Sequence, residues 1–219
     1  MSVPTKGTIN ASTPLMNGSS TTISNVQVNS GNDRLLVLLL TTSNQQTHSS
    51  VTYGTESMTE LTQITRGGGL SAQMSFWYIK NPIASSANAV ITFSGGLYIS
   101  ISVYFQAFTN SGGVGQYSNV GGGTSPRDGT LTVQQDSLIM TTGACGAPID
   151  TMQIPTGNNR PFISHTVTKN VGNAISENVG HNAGTIDVRN SASNNISIDS
   201  YEIKGLAGSG SSRRRIIIC

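Results

Sequence analysis

Ten acidic side chains, three histidines and two cysteines are the residues of this 219-residue chain from which catalysis could be built. Their spacing argues against it. Hydrolysis of a glycosidic bond needs two carboxyl groups about 5 to 9 Å apart. Glu56 and Glu60 lie four positions apart, and on a strand they share a face but stand about 13 Å apart at ~3.3 Å per residue. They read as solvated edge and loop acids, and Asp187, Asp199 and Glu202 are scattered along late strands. His48, His165 and His181 lack the close His or Cys/His spacing by which one local element holds a metal. Cys145 sits among Thr142, Gly143, Ala144 and Gly146, where it reads as a small buried hydrophobe; a nucleophilic thiol would need a histidine partner. Gly121, Gly122 and Gly123 are followed by Thr124 with no lysine, and residues 208–212 open no helix, so neither glycine-rich segment is a phosphate cradle. No catalytic residue, cofactor or metal is expected. Of the aromatic side chains, Tyr53, Trp77, Tyr78, Tyr98 and Tyr104 fall within strand patterns and read as core. Tyr117 lies on a glycine-rich stretch and is the expected exposed contact, suited to the face of a sugar.

The sharpest anomaly is the C-terminal segment. A Gly/Ser linker precedes Arg213, Arg214 and Arg215, then Ile216, Ile217, Ile218 and Cys219. Three β-branched apolar residues are costly to expose and pair readily with a sheet edge. They are expected to dock as a terminal strand, either in their own sandwich or on a neighbouring subunit by strand addition. The three arginines would pair with acids there, or with nucleic acid if the tail faces a genome. Without them the chain has nine basic residues against ten acids. The body is close to neutral, and no nucleic-acid footprint spreads over it. Residues 1–10 show no basic segment followed by an apolar core, so no secretion signal is expected. No stretch approaches the roughly 18 consecutive apolar residues of a membrane helix. Nothing in the spacing of Cys145 and Cys219 supports a bridge between them.

These residues need a scaffold, and composition points to strands. Charged residues make up 10% of the chain, far below the usual ~25%, and Gly, Ser, Thr and Asn take their place. Residues 35–40, Leu-Leu-Val-Leu-Leu-Leu, form an apolar run of strand length, expected to be buried on both faces. Residues 73–96 carry the only Trp and read as strand, turn, strand: Met74, Phe76 and Tyr78 on one face, Ser75, Trp77 and Ile79 on the other, then Ala89, Ile91 and Phe93 in a second strand. This pair is expected to be the centre of the fold. Residues 51–54 and 58–64 read as a hairpin, and residues 98–108 as the strongest strand. Residues 109–128 read as a long loop, residues 169–174 as at most a short helical turn. About a dozen strands separated by turn signals predict a two-sheet antiparallel sandwich.

The order Asn32-Asp33-Arg34-Leu35, then Val51-Thr52-Tyr53-Gly54 with Met58-Thr59, then Phe76-Trp77-Tyr78 with Asn81-Pro82, resembles a concanavalin-like, jelly-roll β-sandwich family of phage and bacterial proteins. Asp136-Ser137-Leu138-Ile139 and Ser200-Tyr201-Glu202-Ile203-Lys204 resemble its later strands. The resemblance implies a jelly-roll-like sandwich met in virion and surface proteins, with no catalytic residues to carry over. The expected organisation is an N-terminal arm or irregular lead-in (1–20), a single sandwich domain (21–205), and a linker with an Arg/Ile-rich terminal strand (206–219). The expected function is a non-enzymatic virion structural protein, in capsid decoration or a tail or fibre, assembling with copies of itself and with other virion proteins. The alternative is a carbohydrate-binding, lectin-like module that presents Tyr117 to a host glycan.

Overall fold

The computed structural model describes residues 2–12, 15–16, 18–43, 46–66, 72–94, 99–120, 127–134, 136–145, 152–153, 162–168, 171–177, 184–190 and 196–206. They form antiparallel strands arranged in four sheets. The central sheet contains β1 (Thr5–Ser12), β2 (Leu15–Met16), β4 (Leu35–Ser43), β7 (Thr59–Arg66), β8 (Ala72–Lys80) and β10 (Ile99–Thr109). Its order is β1-β10-β4-β8-β7, with β2 paired to β10. On one face lies a sheet of β3 (Ser20–Gln27), β9 (Ser86–Phe93), β5 (His48–Tyr53) and β6 (Glu56–Ser57), in that order. On the other lies a five-stranded sheet, in the order β11 (Ser111–Val120), β18 (Ile196–Gly205), β13 (Leu138–Cys145), β16 (Val171–Glu177) and β15 (Phe162–Thr168). A three-stranded sheet of β12 (Arg127–Val133), β17 (Gly184–Asn190) and β14 (Met152–Gln153) completes the fold.

The run at residues 35–40 explains the layering. Side chains alternate across a strand, so Leu36, Leu38 and Leu40 join Val51, Tyr53, Ile91 and Phe105 in one core. Leu35, Val37 and Leu39 join Phe76, Phe108, Leu138, Tyr201 and Ile203 in the other. An unbroken apolar strand cannot face water on either side. The sandwich expected from the sequence is therefore present, but with more than two sheets: the central one is covered twice.

Other expectations change for related reasons. Residues 73–96 do form two strands, β8 and β9, but these do not pair with each other. β8 pairs with β4 and β7, whereas β9 pairs with β3 and β5 in the covering sheet. Asn81 takes a left-handed conformation (φ 49°) and Pro82, which cannot donate to a ladder, is buried there, so the chain turns out of one layer into the next. The expected hairpin after Val51 shrinks to β5–β6, turning at Gly54 (φ 60°); the chain then crosses at the buried Met58, and β7 pairs in the central sheet. Residues 5–12, expected as an arm or irregular lead-in, form β1 on the edge of β10. Gln106, fully buried, donates from Nε2 to the Gly7 carbonyl at 2.9 Å and ties that edge down.

The long loop expected at residues 109–128 contains β11 and the start of β12. Its sequence lacks apolar alternation because backbone pairing with β18 holds it. Gly115 permits this close approach, since a Cβ there would collide with the Glu202 carboxylate. Residues 171–174, expected as a helical turn, belong to β16, which is paired on both sides with β13 and β15.

Replacing Leu38 by Ala opens one core and replacing Leu39 by Ala opens the other. Each substitution should lower unfolding free energy by ~2–5 kcal/mol, read from urea midpoints at constant m-value. A cost below about 1 kcal/mol for Leu39→Ala would mean that the second layer does not pack as described.

Candidate functional site

The sequence candidates can now be placed. Glu56 is in β6 and Glu60 in β7, strands of different sheets. The Glu56 carboxylate accepts a hydrogen bond from the Ile83 amide at 2.8 Å, bracing the crossing between β8 and β9. Partial burial raises the Glu60 carboxyl above its ordinary value. Among the described residues no three His, Cys, Asp or Glu side chains gather as a metal site. His165 and Cys145 lie in β15 and β13, and His181 lies outside the described residues. No described helix is long and apolar enough to cross a membrane. The tail residues Arg213, Arg214, Arg215, Ile216, Ile217 and Ile218 also lie outside the described residues.

One grouping superficially resembles a nucleophile and its base. His48 Nδ1 lies 2.6 Å from Ser75 Oγ, and its Nε2 lies 3.0 Å from Thr42 Oγ1. Trp77 Nε1 donates to the same Ser75 oxygen at 2.8 Å. Every group is satisfied when Ser75 donates to Nδ1 and the Nε2 proton goes to Thr42. Ser75 and Thr42 are fully buried, and His48 is 1% exposed and packs edge-on against Phe93. No substrate reaches this serine, so the network closes polar groups inside the core. Sequence gave no sign of it, because residues 42, 48, 75 and 77 meet only across β4, β5 and β8.

Tyr117 occupies the position expected of a contact residue. It is 49% exposed on β11, an edge strand of the five-stranded sheet. Its ring stacks on Tyr201 at 6.3 Å with a 25° interplanar angle. Tyr201 in turn lies 4.3 Å from Phe76 and shares a 3.0 Å hydroxyl hydrogen bond with Thr62. An aromatic column thus runs from the core to the surface. Its outer end is positioned by Glu202, a buried carboxylate that accepts from the Gln116 amide (3.1 Å), the Gln134 amide (2.5 Å) and the Ser137 hydroxyl (2.6 Å). The Gln116 contact fixes β11 at the irregularity between Val114 and Tyr117. Glu202, scattered among the late acids in the sequence, is the residue that sets Tyr117 in place.

No protein-family model, curated protein or solved structure matches the chain. The resemblance of the short motifs to a phage sandwich family therefore rests on those motifs alone.

Burial lowers the His48 pKa from 6.5 to about 3. The unfolded chain then binds a proton that the folded chain does not between those values, so stability is full above about pH 6.5 and falls as pH drops toward 3. The His48 contribution should be ~1.4 kcal/mol per pH unit in that window. Urea unfolding at pH 7.0 and 5.5, compared with His48→Gln, isolates it. Equal pH slopes in the two proteins would rule out a buried neutral His48.

Proposed function

We propose that the chain is a non-enzymatic structural protein of a virion, a rigid β-block that joins copies of itself and neighbouring proteins through its strand edges and terminal segments. The observation that carries this reading is the chemistry of the edges. Edge strands are usually guarded by charges, prolines or bulges, because their free amides and carbonyls template pairing with another chain. Three of the edge strands, β1, β3 and β11, span 26 residues and hold one charge, Lys6, whereas β7 on the far edge of the central sheet carries Glu60 and Arg66. Bulges or irregularities interrupt each of the three, between Lys6 and Ile9, between Ile23 and Val26, and along Ser111 to Tyr117. Pairing is thereby confined to the regular stretches, which supports docking in a defined register rather than open-ended aggregation. The Ile216-Ile217-Ile218 segment has the side chains such an edge accepts, and Arg213, Arg214 and Arg215 before it give it charge with which to select a partner. The virion setting is supported by the motif resemblance and by a near-neutral, hydroxyl-rich composition suited to packing against copies.

Deleting residues 213–219 should abolish assembly and leave a folded monomer, as judged by analytical ultracentrifugation and circular dichroism. The reading is overturned if the truncated chain assembles normally, or if the full chain stays monomeric at every concentration tested.

A second reading has its own observation. Tyr117, half-exposed and backed by Tyr201, offers one free ring face, which suits stacking against a sugar. On a glycan array this reading expects saturable binding to one sugar class, lost in Tyr117→Ala. Binding that persists in the variant would remove Tyr117 from the contact.

A further inference from the structure

The three uncharged or nearly uncharged edges are closed at their irregular points by side chains of the same chain. In β1 the Thr8 amide donates to Asn29 Oδ1 at 2.7 Å, in β3 the Asn25 amide donates to Asn88 Oδ1 at 3.1 Å, and in β11 the Gln116 amide donates to the Glu202 carboxylate at 3.1 Å. β7 differs. It is the last strand of the central sheet, it pairs with β8, and its own irregularity lies between Glu60 and Thr62. Among the described residues no side chain takes up the Leu61 amide there, and no segment other than β8 bonds to the β7 backbone. From Thr62 to Arg66 the strand keeps an unbroken register with β8, which leaves a regular edge. We infer that this edge receives residues 213–218 of a second copy of the chain, which add to it as a strand running parallel to β7. The inference rests on the assembly reading above and names the receiving edge and its occupant.

The charges on β7 select a partner and its direction. Glu60 is exposed, and among the described residues no cation pairs with it. Arg66 closes the other end of the strand. In the tail three arginines precede three isoleucines, and in β7 Glu60 precedes Leu61 and Ile64, both half-buried. Parallel pairing therefore sets arginine beside Glu60 and isoleucine beside the apolar pair, where opposite charges and β-branched neighbours stabilise a ladder. Antiparallel pairing would set the arginines against Arg66. The Thr62 hydroxyl bonds to that of Tyr201 at 3.0 Å, and Ile64 faces the same layer. Ile216 and Ile218 share one face of a strand, and that face extends the layer sideways. A second copy supplies this strand more easily than the chain itself. Leu206, just before the linker, bridges to Ser2 on the approach to β1. β1 and β7 are opposite edges of the central sheet, four strand spacings or ~19 Å apart. The chain from Leu206 to Arg213 extends over at most about 25 Å, so its own tail reaches β7 only with the Gly/Ser linker drawn nearly straight. That ordering costs entropy, and a neighbouring molecule avoids it.

The test is sedimentation of the full chain and of charge-reversed variants over a concentration series. Glu60→Lys should weaken self-association at least about tenfold. Arg213→Glu, Arg214→Glu and Arg215→Glu made together should do the same. An equimolar mixture of the two variants should associate again, because each edge then meets a tail of opposite charge on the other molecule. A variant that had merely lost its fold, or a tail docked within its own chain, would not produce recovery on mixing. Self-association unchanged in Glu60→Lys would overturn the inference and leave the assembly reading standing, as would a mixture that fails to associate. A full chain that stays monomeric would overturn both.

Discussion

The architecture depends on the two-sided burial of β4. A strand with an apolar residue at every position from 35 to 40 has no face to give to water, so each side must be covered by a separate sheet. That requirement propagates through the chain. Where a strand ends, the following segment is drawn either sideways into its own sheet or across into another layer. The crossings at Met58 and at Asn81-Pro82 are where this choice is made. The alternation of β10 follows the same demand, with Val103, Phe105 and Ala107 in one core and Tyr104 and Phe108 in the other.

A sheet covered on both faces also decides the fate of its polar side chains. A buried hydroxyl, amide or imidazole without a partner costs about 1–3 kcal/mol. Many polar residues of the central strands are accordingly bound to one another or to the backbone, while among the described residues Thr41 Oγ1 and Ser102 Oγ are buried without a partner. His48, Ser75, Trp77 and Thr42 form one closed set. Gln106 accepts from the Tyr104 hydroxyl at 3.2 Å and donates to the Gly7 and Ala107 carbonyls. Tyr53 reaches the carbonyls of Val26 and Ala84. Residue types that suggest chemistry in the sequence are here the means by which polar atoms are made tolerable inside a thick apolar stack.

Side-chain patterning made part of this legible. The double burial of residues 35–40, the strength of β10 and the alternation within β8 are visible because burial leaves an apolar signature. Pairing leaves none. β8 and β9 lie close in sequence and both read as strands, yet nothing in their side chains says that they enter different sheets. β11 was hidden for a related reason: Ser, Gly and Asn dominate it, and its place is set by ladder bonds to β18 and by the fit of Gly115 over Glu202. Backbone hydrogen bonding is nearly blind to residue type, so a polar edge strand looks like a loop. The exposure of Tyr117 could be read from its neighbours, but not its stacking on Tyr201, which lies 84 positions away. The reciprocal hydrogen bonds between Arg34 and Asn81 were illegible for the same reason, joining residues 47 positions apart.

β11 is where these threads meet. At its start Gly113 lies under the Lys80 side chain; in its middle Gly115 admits the Glu202 carboxylate; just beyond, Tyr117 stands half-exposed over Tyr201. It is an edge strand, so it combines solvent access with a fixed position that a loop of the same composition could not have. The buried carboxylate beneath it converts a glycine-rich segment, whose free chain would lose more entropy on ordering than most, into a surface of defined shape. A protein whose core is closed on both faces can present new contacts only at edges, turns and the outer faces of the covering sheets. This chain places its left-handed turns at Asn110 and Gly113 and its exposed aromatic ring along one such edge.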